Sequence, residues 1–311
     1  MTRKMYLIGH PVGHSKSAVM YNAVYGHAGL PWRYELLDCP TVEEARAVLE
    51  ARDFLQVNIT TPYKPLAYEA ADERTKAVML VGGANVLVNR CWRLTAHNTD
   101  GVGCTGFLAR EGFPVEGSRI VICGTGPTAL AILTACAWSG ARQVLLLGRD
   151  GDHAREVLDG WSLRSACFDS GSRAPESEGE VRRELFCEMM HRAELRAFSY
   201  GEAEQAIPQA DLVINATPLG MREGDPAPFP GELLRSGQWA FDCVYGHGET
   251  AFLAAARKAG CRAYDGAGML VGQAVETVRI VTQAMRMPLP LSDDAMFDIM
   301  ADAAGFRLSQ R

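Results

Sequence analysis

Arg119-Ile120-Val121-Ile122-Cys123-Gly124-Thr125-Gly126-Pro127-Thr128 decides how the rest of the chain is read. Its first five residues form a short apolar run of the kind buried in a parallel sheet. Gly124 and Gly126 then mark a tight turn, and Ala129 to Trp138 continues as a helix of small residues. Strand, Gly-x-Gly turn and helix N-terminus together make a dinucleotide-binding arrangement. Glycine lets the backbone approach a pyrophosphate, and the N–H groups of the first helical turn face the anion. The third glycine of the full pattern falls at Ala129, which matches its G/A variant. Gly124, Thr125, Gly126, Pro127 and Thr128 are therefore candidate cofactor-binding residues. A glycine pair that merely forms a turn is the plainer alternative.

The next strand, Gln143 to Leu147, ends in Gly148-Arg149-Asp150. An acidic residue at this point would bond ribose hydroxyls and disfavour a 2′-phosphate, whereas an arginine can clamp one. Arg149 favours NADP(H) narrowly over NAD(H), because Asp150 and Asp152 pull the other way.

Upstream, the run Val57-Asn58-Ile59-Thr60-Thr61-Pro62-Tyr63-Lys64 begins as a β-branched strand and stops at a proline that cannot continue a central strand. Residues 65–71 read as helix, so Lys64 lies just past a strand end, where α/β proteins place ligands. Strand-like segments at 4–8, 32–37 and 55–60 alternate with helical ones at 18–29 and 42–52, and 85–89 with 92–96 reads as a hairpin. Residues 101–112 read as a helix crossing toward a new strand–helix alternation that starts at Arg119. Strands near 211–215, 239–245 and 262–264 and helices at 250–259 and 269–286 follow, with a terminal helix beyond Pro290.

The expected architecture is α/β in two domains. An N-terminal α/β substrate domain with a mostly parallel sheet takes 1–100 plus returning helices in 268–311, and a Rossmann-type NAD(P)-binding domain takes 101–267. Within 151–200, an enlarged segment, 169–180 reads as a loop or disorder. Residues 181–196 read as an amphipathic helix carrying Leu185, Phe186, Met189 and Met190.

Composition sets the outer bounds. Of 311 residues, 48% are hydrophobic and 22% charged, enough to fill globular cores. A net charge of −6 argues against a nucleic-acid partner. No apolar run reaches membrane-spanning length and the N-terminus has no signal-peptide core, so a cytoplasmic protein without a membrane partner is expected. Nine scattered cysteines with no C-x-x-C pair read as reduced thiols, and no His/Cys ligand spacing suggests a metal. The sequence does not choose between monomer and homodimer.

Taken in order, seven short motifs resemble the shikimate/quinate dehydrogenase family. They are His14-Ser15-Lys16-Ser17, Asn58 to Lys64, Gly83-Ala84-Asn85, Asn98-Thr99-Asp100-Gly101, Asn215 to Met221, Asp242-Cys243-Val244-Tyr245 and Met269 to Gln273. The resemblance implies reversible reduction of 3-dehydroshikimate to shikimate with NADPH, with Lys64 and Asp100 as the catalytic pair. It places Ser15, Ser17, Thr60, Asn85, Asp100, Tyr245 and Gln273 around a small polyhydroxy cyclic carboxylate. It adds Asn215, Thr217, Met221, Cys243 and Gly266 to the cofactor side. An NAD-dependent quinate/shikimate or aminoshikimate dehydrogenase is the near alternative, and a nucleotide-sensing module without catalysis the remote one. Single residues also have structural readings: Ser15 and Ser17 could cap a helix, Asn98 and Asp100 could be turn and cap residues before helix 101–112, and Asn85 could satisfy turn backbone. Ala18, Gly126-Pro127-Thr128, Gly148-Arg149-Asp150, Lys76 and the long span from Arg149 to Asn215 depart from the family pattern, chiefly on the cofactor side.

Overall fold

The computed structural model describes residues 3–169 and 193–308. The chain forms two compact units, Met1–Cys104 with Gly268–Arg311, and Thr105–Ala267. Among the described residues, no helix is long and apolar enough to cross a membrane.

The first unit is built on six strands: β1 (Arg3–Gly9), β2 (Trp32–Asp38), β3 (Gln56–Ile59), β4 (Glu73–Arg74), β5 (Val86–Arg90) and β6 (Arg93–His97). Their order is β2-β1-β3-β5-β6-β4. β1 runs parallel to β2 and β3, whereas β5 is antiparallel to both β3 and β6. β3 sits centrally and is buried on both faces. Val57 and Ile59 enter a hydrophobic cluster with Ile8, Leu49, Leu66 and Leu87. Strand alternation sends Gln56 and Asn58 to the other face, where Tyr34 Oη donates to Asn58 Oδ1 at 2.8 Å and Tyr21 stacks on Tyr34 with ring centroids 4.3 Å apart.

Helices α1 (Ser17–His27), α2 (Val42–Ala51), α3 (Lys64–Ala70) and α4 (Lys76–Val81) connect these strands. Helix α5 (Asp100–Arg110) carries the chain into the second unit.

The second unit has six parallel strands: β7 (Arg119–Cys123), β8 (Gln143–Gly148), β9 (Glu194–Ser199), β10 (Leu212–Asn215), β11 (Trp239–Asp242) and β12 (Arg262–Tyr264). The order β12-β11-β10-β7-β8-β9 is the doubly wound arrangement, in which the chain reverses direction beside β7. Helices α6 (Pro127–Trp138), α7 (Gly151–Asp169) and α8 (Ala251–Lys258) belong to this unit. β7, β8, β10 and β11 are buried almost end to end, because helices cover both faces of such a sheet.

One expectation needs correction. The helix read over 181–196 falls outside the described residues up to 192, and its last residues lie in β9, paired with β8 from Gln143↔Glu194 onward. β9 is an edge strand whose polar residues alternate and of which only Phe198 is buried, so its strand signal is faint. The two-residue β4 carries no sequence signal at all.

The chain returns to the first unit through α9 (Ala267–Ala284) and ends with α10 (Asp293–Ala304). α9 crosses α5 with backbone against backbone. A Cβ on Gly103 would stand 2.5 Å from Gln273 N, and one on Gly272 would stand 2.7 Å from Gly103 O. Gly103→Ala is therefore expected to lower the free energy of unfolding by about 1–3 kcal/mol. The comparison is Gly106→Ala on the same helix, where an added Cβ meets nothing within 4 Å and should be neutral or stabilising. Urea unfolding midpoints of the two variants check this.

Candidate active site

Lys64 is the first residue of α3 and Asp100 the first of α5. The strand-stopping turn Thr60-Thr61-Pro62-Tyr63 closes with Tyr63 N donating to Thr60 O at 2.9 Å and delivers Lys64 to the end of the sheet. Lys64 Nζ donates to Asp100 Oδ2, with the two side chains only 14% and 10% exposed. A buried ion pair holds only when its remaining lone pairs are satisfied. Asn85 supplies that bond: its Nδ2 donates to Asp100 Oδ1 at 2.8 Å and to Thr99 Oγ1 at 3.0 Å, and its Oδ1 accepts from Thr99 N at 2.8 Å. The N-terminus of α5 also favours a carboxylate. Lys64 O accepts from Ala84 N at 3.0 Å, so the lysine loop and the asparagine loop are joined through their backbones.

Asn98 takes the structural role open to it. Its Nδ2 donates to Gly83 O at 3.0 Å and its Oδ1 accepts from Asp100 N at 3.1 Å. The Asp100 carboxylate faces Lys64 and Asn85. Gln273, on α9, accepts weakly from Thr99 Oγ1 at 3.4 Å and donates to Leu270 O at 2.8 Å. Thr60 is half-buried at the end of β3, against Gly9.

The loop after β1 carries the two serines. Ser15 Oγ accepts from Ser17 N at 3.2 Å and donates to Ser17 Oγ at 3.1 Å. Ser15 thus serves the N–H of Ser17, the first residue of α1, whose N-cap is Lys16, and the Ser17 hydroxyl keeps its own hydrogen to donate. The loop reaches the lysine turn through His10 N, which donates to Thr61 O at 3.2 Å.

In the second unit, Gly124 adopts φ +118, and a Cβ there would stand 2.8 Å from Ala216 O. Gly126 is the N-cap of α6 and offers no side-chain cap, so the helix start is left to backbone groups. Thr125 and Thr128 are half-buried beside it. Arg149 is exposed at the end of β8. Asp150 next to it is engaged, because its Oδ1 accepts from Asp152 N at 2.9 Å and His153 N at 3.2 Å at the start of α7. Asp152 in turn pairs with Arg155 at 2.6 Å.

Asn215 and Thr217 turn their side chains into the protein. Asn215 Nδ2 donates to Leu219 O and Asp242 Oδ1, both at 3.0 Å, while its Oδ1 accepts from Thr217 N at 3.1 Å and Thr217 Oγ1 at 2.6 Å. That fills all four hydrogen bonds of the amide, so Asn215 shapes the turn after β10. Asp242 is fully buried, holding Thr250 Oγ1 at 2.6 Å and Val244 N at 3.0 Å, and burial raises its carboxyl above the usual carboxylate range. Gly266 packs directly on the backbone of Cys243, where a side chain would collide. Met221 is 48% exposed, Cys243 and Tyr245 half-buried.

Sequence reasoning passed over Thr99 and Thr277 as site residues. Thr99 lies inside a motif already singled out, and Thr277 follows Gln273 by one helical turn on the same face. Their hydroxyls stand 3.5 Å apart, buried under Gln273.

A family model described as the shikimate dehydrogenase substrate binding domain matches residues 7–87. The shikimate dehydrogenase (NADP(+)) of Moorella thermoacetica is 32% identical over 304 residues, covering 96% of this chain and 94% of its own length. Among solved structures, shikimate 5-dehydrogenase from Thermus thermophilus in complex with NADP(H) and shikimate matches with a TM-score of 0.76 at 26% identity, over 97% of this chain and 100% of that one. Quinate dehydrogenase from Corynebacterium glutamicum in complex with NAD also gives 0.76, at 25% identity, over 97% and 99%.

His97, which leads into Asn98-Thr99-Asp100, has its pKa lowered by burial from 6.5 to about 4. The folded state therefore favours neutral imidazole while the unfolded chain protonates earlier. Stability from this residue is complete above 6.5 and is lost as pH falls toward about 4, amounting to about 3 kcal/mol. His97→Gln should flatten that part of the pH dependence, as measured by urea unfolding of both proteins across this interval.

Proposed function

The chain belongs to the shikimate dehydrogenase family, and from that premise we propose that it interconverts 3-dehydroshikimate and shikimate with NADP(H), using Lys64 and Asp100 as its catalytic pair. The observation that carries this reading is the buried Lys64–Asp100 pair held by Asn85. Reducing a ketone builds negative charge on its oxygen. An ammonium beside that oxygen stabilises the charge and delivers the proton, and in the oxidative direction the amine takes it back. Asp100 aims Lys64 and offers its carboxylate to a substrate hydroxyl. Asn85, Gln273 and Thr60 suit the remaining ring hydroxyls. Ser15 and Ser17, hydrogen-bonded to each other, suit the substrate carboxylate, the Ser17 hydroxyl being the one with a hydrogen to donate. A polar site of this kind rejects analogues that leave its groups unpaired.

The residues of the second unit fit a dinucleotide. The turn at Gly124 leaves no room for a side chain, and α6 starts without a side-chain cap, so backbone N–H groups are the donors there. When bound, the nicotinamide carries the hydride in either direction. Arg149 favours a 2′-phosphate, and the two aspartates that argued for NAD are occupied by the start of α7 and by Arg155. Met221, Cys243 and Gly266 complete the cofactor side, with Asn215 and Thr217 shaping the turn beside it.

The second reading, quinate oxidation with NAD, is favoured by the likeness to the Corynebacterium glutamicum enzyme. Absorbance at the reduced-nicotinamide band, with shikimate or quinate and NADP+ or NAD+ in all four combinations, separates the two. Turnover is expected chiefly with shikimate and NADP+. Arg149→Ala should raise KM for NADP+ about tenfold and leave that for NAD+ unchanged. Lys64→Ala should lower kcat by about 10²-fold or more. Undiminished turnover in that variant would remove Lys64 from the mechanism.

A further inference from the structure

We propose that Asp38 is a positioning residue for the substrate: its carboxylate sets the placement of Ser15 and Ser17 and so governs substrate binding without governing the chemical step. The proposal rests on the reading above that these serines hold the substrate carboxylate.

Asp38 is the last residue of β2, aligned with Gly9 at the end of β1. Just beyond Gly9 the chain enters the serine loop. Both carboxylate oxygens of Asp38 lie 3.1 Å from His10 Nδ1, and Oδ1 also accepts from Val12 N at 3.1 Å. Val12 is only 2% exposed, so its position is fixed by packing as well as by that bond. Val12 O then accepts from Ser15 N at 2.9 Å, and Ser15 Oγ engages Ser17 through both N and Oγ. One carboxylate is thus separated from the two serine hydroxyls by a single residue's peptide groups.

The residue beside it braces the other half of the site. Cys39 N donates to Gly9 O at 3.0 Å, and Cys39 O accepts from Tyr63 Oη at 2.6 Å. Tyr63 directly precedes Lys64. The end of β2 therefore sends one support to the serine loop, through Asp38, and another to the lysine turn, through Tyr63. Loss of the first should disturb where substrate sits; loss of the second should disturb where the proton donor sits. A misplacement of even one ångström is enough to matter kinetically.

Steady-state kinetics with shikimate and NADP+ on Asp38→Ala, Asp38→Asn, Tyr63→Phe and Ser17→Ala test this. Asp38→Ala is expected to raise KM for shikimate about tenfold, the equivalent of one charge-assisted hydrogen bond, with kcat and KM for NADP+ unmoved. Asp38→Asn keeps an acceptor for Val12 N–H and should recover most of the affinity. Tyr63→Phe should lower kcat and leave KM for shikimate in place. If Ser17→Ala raises KM while Asp38→Ala does not, the positioning role is wrong and the serine reading stands. If Ser17→Ala leaves KM unchanged, the serine reading fails and takes this proposal with it. A fall in kcat with a rise in both KM values for Asp38→Ala, or equal kinetic profiles for Asp38→Ala and Tyr63→Phe, would also overturn it.

Discussion

A buried ion pair tolerates little slack, and the first unit is arranged around one. Lys64 and Asp100 come from the starts of two helices that lie 36 residues apart in sequence. Both charges lose most of their water, so each must face the other and each carboxylate oxygen must be served. Oδ2 meets the lysine and Oδ1 meets Asn85. Asn85 is itself locked by Thr99, on the residue next to Asp100. Three loops are therefore fastened to one another by charge and hydrogen bonding. The hydrophobic cluster beneath β3 supplies a base that does not yield.

Lys64 and Asp100 sit at helix starts for a physical reason. Strand interiors have spent their backbone groups on the ladder, whereas helix starts carry N–H groups and positive potential that favour an anion. Asp100 exploits this at α5. The second unit offers the same resource at α6, whose N-cap, Gly126, has no side chain to fill it. Nearby, Asp150 accepts hydrogen bonds from the start of α7, and Arg149 beside it is exposed at the end of β8.

Residues that border an abrupt change of element were legible in the chain. Pro62 stops a strand and sets Lys64 at the start of a helix; Gly124 and Gly126 break another strand before a helix start. Long β-branched runs such as Ile120 to Cys123 reveal both the second sheet and its burial. What stayed hidden depends on pairing at a distance. Nothing around Leu37-Asp38-Cys39 announces that Asp38 will meet Val12, 26 residues earlier. β9 is hidden because an edge strand with polar alternation resembles a helix surface locally. Asn215 and Thr217 stand in a recognisable motif, yet their role is decided by which neighbours fill their hydrogen bonds, and Asp242, 27 residues on, is one of them.

The glycine crossing of α5 and α9 has a topological meaning. Gly103 lies at the chain's exit from the first unit and Gly272 shortly after its return, and the two are in backbone contact. The whole of Thr105–Ala267 is thus an insertion whose two ends leave and re-enter at neighbouring points of its host. Closing so short a gap costs little chain entropy compared with ordering the inserted segment. The host sheet and the helices that return to it constitute a continuous frame into which a cofactor-binding cassette can be fitted or exchanged, the arrangement expected when one scaffold acquires another by insertion at a surface junction.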